Sequence, residues 1–175
     1  MSVDPARCSI AKPAAPAPYS RRLQPHLHDT ISHQGIDYLV EGTLDYRLAG
    51  RVLRQARLTR AGAVRYLESP SSDPPDRVLW LAEIAALDIT TPPPAEIYHR
   101  GDSFLLKLSG TAEVAVAGRV PGLSPGPCSL WRYRAAGGRF LQIEAWPGKV
   151  RMLEGASMNP SMLEVRPATL ETHTG

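Results

Sequence analysis

Between Asp37 and Leu48 the chain alternates almost without fault. Tyr38, Val40, Leu44, Tyr46 and Leu48 share one parity with Gly42, while Asp37, Glu41, Thr43, Asp45 and Arg47 share the other; only Leu39 breaks the pattern. A two-residue period over this length belongs to a β-strand with one buried face, because successive side chains of a strand point to opposite sides. Gly42, in the middle of the apolar row, predicts a bulge or a sharp bend of the kind found in small barrels.

The rest of the chain is cut into short pieces. Its 175 residues include 17 prolines and 14 glycines, and short elements with frequent turns favour β architecture over long helices. Leu53–Leu58 and Ala63–Glu68 flank Arg60-Ala61-Gly62 and predict a hairpin, with Gly62 at the left-handed turn position; a helix over 48–58 is the competing reading. Ser69 to Asp76 is a loop. Over 77–90 the apolar residues fit a helix (Val78, Leu81, Ala82, Ala85, Ile89) as well as a strand (Val78, Trp80, Ile84), and we take the first half as strand. Pro92-Pro93-Pro94 then separates two halves. Phe104–Leu108 and Thr111–Ala117 predict a hairpin turning at Ser109-Gly110, and Cys128–Arg134 and Arg139–Trp146 a second one turning at 135–138. Lys149–Leu153 and Met162–Val165 are further strands. Turns recurring about every ten residues are the rhythm of a sandwich or barrel. The fold class expected is therefore mostly β: antiparallel hairpins forming one or two small barrel-like or sandwich-like sheets. Residues 1–34, rich in Pro and Ala, read as a disordered tail. Residues 35–170 read as the β domain, divisible into 35–91 and 95–167.

Charge narrows the partners. The net charge is +3. Residues 1–34 carry four Arg/Lys against two Asp, and 35–175 carry 16 basic against 15 acidic residues, so the folded part is almost neutral and nucleic acid is not the expected partner. No stretch reaches the roughly 20 apolar residues of a membrane span. Met1 to Ser20 has no apolar core of a secretory signal. Cys8 falls in the tail, so no bridge to Cys128 is expected, and free thiols suit a reducing compartment. A cytoplasmic protein is the expectation.

Several landmarks follow one another in a recognisable order. Asp37-Tyr38-Leu39-Val40-Glu41-Gly42-Thr43-Leu44 opens the domain. Tyr66-Leu67-Glu68 ends a strand pair. Tyr98-His99-Arg100-Gly101-Asp102-Ser103-Phe104 sets aromatics around a glycine, and Gly110-Thr111-Ala112 follows. Tyr133, Gly137-Gly138 and Leu141-Gln142-Ile143-Glu144, then Trp146 and Gly148, close the series. This set resembles the bacterial DUF4178 family, a domain without assigned function, over about residues 35–167. Where that family often has a Trp-x-Glu-Tyr-like step, this chain has Arg54-Gln55-Ala56-Arg57, so any role of an aromatic or acid there is in doubt. The resemblance implies a β-rich domain of one or two barrel-like halves and no catalytic residues. It also implies an accessory protein in the company of envelope-stress or membrane-associated systems, hence a protein partner or a membrane-associated complex.

Three functions are open at this point. The first is a non-catalytic β module that binds a partner, with Tyr98, His99, Gly101, Phe104, Glu144 and Trp146 as candidate binding residues. The second is polyanion binding by the acid-free run Arg47, Arg51, Arg54, Arg57, Arg60 and Arg65, which requires these arginines on one exposed face. The third is an enzyme using Glu144, a carboxylate sharing strand parity with Phe140 and Trp146, whose environment could raise its pKa; the bland alternative is a structural carboxylate bonded to its neighbours. A buried, fully bonded Glu144 would remove the third reading. His26, His28, Asp29 and His33 have the chemistry of metal ligands, but their Pro-rich setting favours solvated histidines. No metal or cofactor is expected. No nucleophile elbow and no phosphate-cradling glycine loop is present.

Overall fold

The computed structural model describes residues 23–70 and 77–168. Eleven strands follow one another: β1 (Thr30–His33), β2 (Ile36–Leu48), β3 (Arg51–Arg60), β4 (Ala63–Pro70), β5 (Val78–Ile84), β6 (Glu96–His99), β7 (Asp102–Gly118), β8 (Gly126–Arg134), β9 (Arg139–Trp146), β10 (Lys149–Met158) and β11 (Leu163–Arg166). Every pairing is antiparallel. The order β2-β3-β4-β5-β10-β9-β8-β7 closes on itself through a β2–β7 pairing, giving an eight-stranded barrel; β1 and β11 extend it beside β2, and β6 beside β7. Among the described residues there is no α-helix, hence no helix long and apolar enough to cross a membrane.

The mostly β class stands, as a single closed sheet. Each of the expected halves supplies four barrel strands, but neither closes alone, because β5 of the first pairs with β10 of the second. The helical alternative over 48–58 fails: Leu48 to Leu58 lies in β2, a two-residue turn and β3, and the β3–β4 hairpin turns at Ala61 and Gly62, both at positive φ. Val78–Ile84 is strand, and residues 85–90 continue without regular structure. The expected turn at Ser109-Gly110 does not exist. β7 runs unbroken for 17 residues with a register shift between Leu106 and Leu108, and Gly110 makes room for the Leu48 side chain. A Ser-Gly pair inside an alternating run marks close approach here, not reversal. The tail reading also ends too late: Thr30–His33 is β1, and buried Asp29 accepts from the backbone amides of His26 and Ala168 at 2.8 and 3.1 Å. Residues 1–22 and 71–76, with Cys8 and most of the expected loop, lie outside the described residues.

β2 is the corner of the molecule. Residues 36–39 pair with β1, residues from Gly42 onward pair with β7, and the register against β3 shifts between Val40 and Gly42. The bulge anticipated at Gly42 is where the strand leaves one neighbour for another. Gly42 lies opposite Gly118. A Cβ on either would overlap backbone of the facing segment, at Arg119 or Glu41.

Both faces of the barrel wall are buried over much of its area. Inside, one apolar cluster gathers Leu44, Tyr46, Leu48, Ala112, Val114, Cys128, Leu130 and Trp146, and another gathers Tyr66, Leu81 and Leu153. Outside, Ile31, Val40, Ala56, Leu58, Leu67, Val78 and Leu163 pack where β1 and β11 cover the wall. A second outer cluster, with Phe104, Tyr133, Leu141, Ile143 and Met152, is covered by Leu87, Ile89 and Ile97 of the connection that crosses from β5 to β6. Tyr133 pins this connection by donating to the Pro94 carbonyl at 2.9 Å.

Gly155 sits in the β5–β10 seam opposite Leu81, where a Cβ would overlap the Trp80 carbonyl oxygen. Gly155→Ala should force the seam apart and cost about 1–3 kcal/mol, the usual penalty of overpacking. Urea denaturation checks this, and an unchanged midpoint would contradict it.

Candidate functional site

Two places in the barrel gather ionisable side chains: its interior and a groove on its outer wall. The interior is built from the parity of five strands. Gln55 of β3, Glu68 of β4, Arg132 of β8, Gln142 and Glu144 of β9 and Arg151 of β10 point inward and bond in a ring. Arg151 donates to Glu144 at 3.0 Å, and Gln142 donates to the other Glu144 oxygen at 2.6 Å. Arg132 donates to Gln142 at 3.0 Å and to Glu68 at 2.7 Å. Gln55 donates to Glu68 at 3.0 Å, and Arg151 reaches back to Gln55 at 3.4 Å, closing the circuit. Tyr46 and Trp146 add donors to Glu144, each at 3.0 Å. The Arg151 guanidinium also lies 4.2 Å from the centre of the Tyr66 ring, a cation–π contact. The ring thus lies between the two inner apolar clusters.

Glu144 is 0% exposed and Arg151 1% exposed. A charge so deep is tolerated only if it is paired and hydrogen-bonded, and two arginines here face two glutamates. Each Glu144 oxygen has two donors, so the carboxylate has no face left for a substrate. Glu144 thus does not meet the condition set for the enzyme reading, an open pocket around an accessible carboxylate. Burial, then the charge of Glu144, drives the Tyr46 phenol well above its ordinary pKa. The same two causes push the Cys128 thiol up to about 12. For Arg151, burial works against the charge, but Glu144 and the surrounding oxygens raise its pKa all the same.

The six candidate binding residues do not converge. Glu144 and Trp146 belong to the interior. Phe104 is 0% exposed in the outer core, under the Arg139 guanidinium at 5.6 Å. Tyr98 projects into solvent at 78% exposure. Gly101, with Arg100, makes the tight β6–β7 turn, both at positive φ. His99 is the one that borders the outer-wall groove, its Nε2 lying 3.3 Å from Glu154 without hydrogen-bond alignment.

His99 leads to the groove. It runs over the outer faces of β5 and β10, between the two covered clusters, with a volume of about 500 Å³; Arg65, Trp80, Arg100, Arg139, Glu154 and Met158 are among its lining residues. Glu154 organises it, accepting from Arg139 and, at 3.2 Å, from Arg100. Arg139 also pairs with Asp102 behind the groove. Sequence reasoning names Arg65 for another purpose and misses Arg100, Arg139 and Glu154. Their only signal in the sequence is the adjacency of Arg100 to the Gly101 turn. A smaller apolar cleft of about 160 Å³ lies under the β5–β6 connection, between Leu87, Ile89, Pro93, Trp131 and Val150.

The arginine run does not form a strip. Spacing of three on a strand sends successive residues to opposite faces. Arg57 points inward and pairs with Glu41, while Arg54 points outward and pairs with Asp45 at 2.7 Å. Arg54, Arg60 and Arg65 therefore share the outer face without Arg51 and Arg57. Of the four residues with the chemistry of metal ligands, Asp29 gives its oxygens to backbone amides and His33 packs on Trp80 with ring centroids 4.7 Å apart. Among the described residues no group of three or more potential ligands converges.

A profile of the family described as a domain of unknown function (DUF4178) matches residues 26–160. No curated protein and no solved structure matches the chain.

Two outcomes test the interior. Glu144→Ala strands Arg151 and should cost about 3–5 kcal/mol, whereas Glu144→Leu combined with Arg151→Met should recover most of that loss; urea melts of both variants measure it, and a single variant as stable as wild type would refute the ring. Iodoacetamide at pH 8 should leave Cys128 unmodified in the native protein and alkylate it fully in urea, as read by peptide mass spectrometry, since only the thiolate reacts. Raising the pH from about 9 to 12 should remove the stability this protonated thiol contributes, because the unfolded thiol ionises first.

Proposed function

The chain belongs to the DUF4178 family, and from that membership we propose that it is a non-catalytic binding module that recognises a protein partner through the groove on the outer wall of its barrel. The observation that carries this reading is the contrast between the two charged places. The interior ring commits both Glu144 oxygens to its own donors and is buried, with the Arg151 Nε left without a hydrogen bond, 3.7 Å from Glu83. The groove is open, and its lining mixes an aromatic, apolar side chains and guanidinium groups of which one, Arg100, is 65% exposed. Concave surfaces with a few polar groups and an apolar base are where proteins take ligands, and arginine and aromatic residues concentrate in interfaces. The cytoplasm, and the company of envelope-stress or membrane-associated systems, are parts of the same proposal; the first rests on the free thiol of Cys128 and the second on the family resemblance.

The test is a comparison of captured proteins. Tagged wild type, the groove variant Arg65→Glu/Arg100→Glu and the distant control Arg47→Glu are purified from the native host. A companion that co-purifies with wild type and Arg47→Glu, and is depleted with the groove variant, is the expected result. Identical captures by all three would end the proposal.

A further inference from the structure

We infer that the groove receives an extended acidic peptide segment, held by Arg65 and Arg100; this deepens the binding-module reading and rests on it. Three arginines and one carboxylate line the groove, so it carries a surplus of positive charge. That carboxylate is already committed. Glu154 is 8% exposed and is held by Arg139 and Arg100. Arg139, in turn, is fixed between Glu154 and Asp102. These four residues form a braced scaffold with more donors than acceptors. Arg100 uses NH1 on Glu154 and turns most of its side chain to solvent. Among the described residues, Arg65 donates only to the Val64 carbonyl. Both retain guanidinium donors that suit a carboxylate.

The floor decides the shape of the occupant. Ala82, Gly155 and Ala156 are small, and they lie on neighbouring strands in register, Ala82 opposite Glu154 and Ala156 opposite Trp80. A shallow trough over two strands accepts an extended backbone, with side chains reaching Arg65 and Arg100 and aliphatic groups resting on Met158 at one end and Ile84 at the other. The same geometry disfavours nucleic acid. Single strands bind through open aromatic faces set along a cationic track. Trp80 is instead packed between His33 and Tyr38, with ring centroids 4.7 and 5.3 Å away. The remaining arginines of β3 diverge to opposite faces of the wall.

The experiment uses the full chain and fluorescein-labelled hexaglutamate, read by fluorescence anisotropy. Saturable binding that weakens with added salt is expected. Arg65→Glu/Arg100→Glu should weaken it by about tenfold or more, as loss of charge-assisted bonds does, while Arg47→Glu leaves it unchanged; circular dichroism melts confirm that all three are folded. The inference is overturned by absence of saturable binding, by binding that survives the double variant, or by an unlabelled oligothymidylate that displaces the peptide at concentrations below the peptide's own Kd. If hexaglutamate fails while partner capture still depends on Arg65 and Arg100, the binding-module reading stands and only the acidic-peptide assignment falls.

Discussion

A closed circuit of hydrogen bonds linking two arginines, two glutamates and two glutamines, set between the apolar clusters inside the barrel, constrains everything else in this molecule. Gln55 and Glu68 come from the first half of the chain, and Arg132, Gln142, Glu144 and Arg151 from the second. The first half alone would bury an unpaired acid; the second alone would bury an unpaired base. Such charges contribute little net stability compared with apolar replacements, yet leaving one without its partner is costly. The circuit therefore acts mainly by penalising alternatives. A one-residue slip in any of five strands would send its member of the ring outward, because strand side chains alternate.

That interior makes the outer wall apolar in compensation. A barrel whose centre is partly polar has fewer inward positions for its hydrophobic residues, and here many of them face outward under two covers. One cover is β1 with β11, and the other is the connection through Pro94 to β6. The groove is the stretch of wall between them. Its charges are of a different kind from those inside: partly hydrated, braced by Glu154, and with donors to spare.

Much of the wall is legible in the order of the residues. The alternation of β2, the Ala61-Gly62 turn and the break at 135–138 are local signals, and each leads to the right element. Gly42 is legible as a bend because a glycine in an apolar row has few other uses. Ser109-Gly110 misleads for the same reason: close packing of Leu48 and a chain reversal leave the same residue in the sequence. The candidate site is far less legible. Alternation says which residues share a face, but not which face is inside. In β9 the apolar parity, Leu141 and Ile143, lies outside under the β5–β6 connection, while Gln142 and Glu144 lie inside. The groove is invisible in the sequence because Arg100, Arg139 and Glu154 meet only through pairings between distant strands.

The seam between β5 and β10 has a further consequence, for how the chain is made. Residue 84 must wait for residue 152, its register partner, and the circuit stays broken until Arg151 is supplied. During synthesis the first four barrel strands emerge as an open curved sheet with two raw edges, β5 and the part of β2 that awaits β7, and with Glu68 uncompensated. Non-local pairing of this kind makes for slow closure and for exposure to aggregation in the interval. The nascent chain is thus most vulnerable until β10 has been made, and protection of those edges on the ribosome guards the interval.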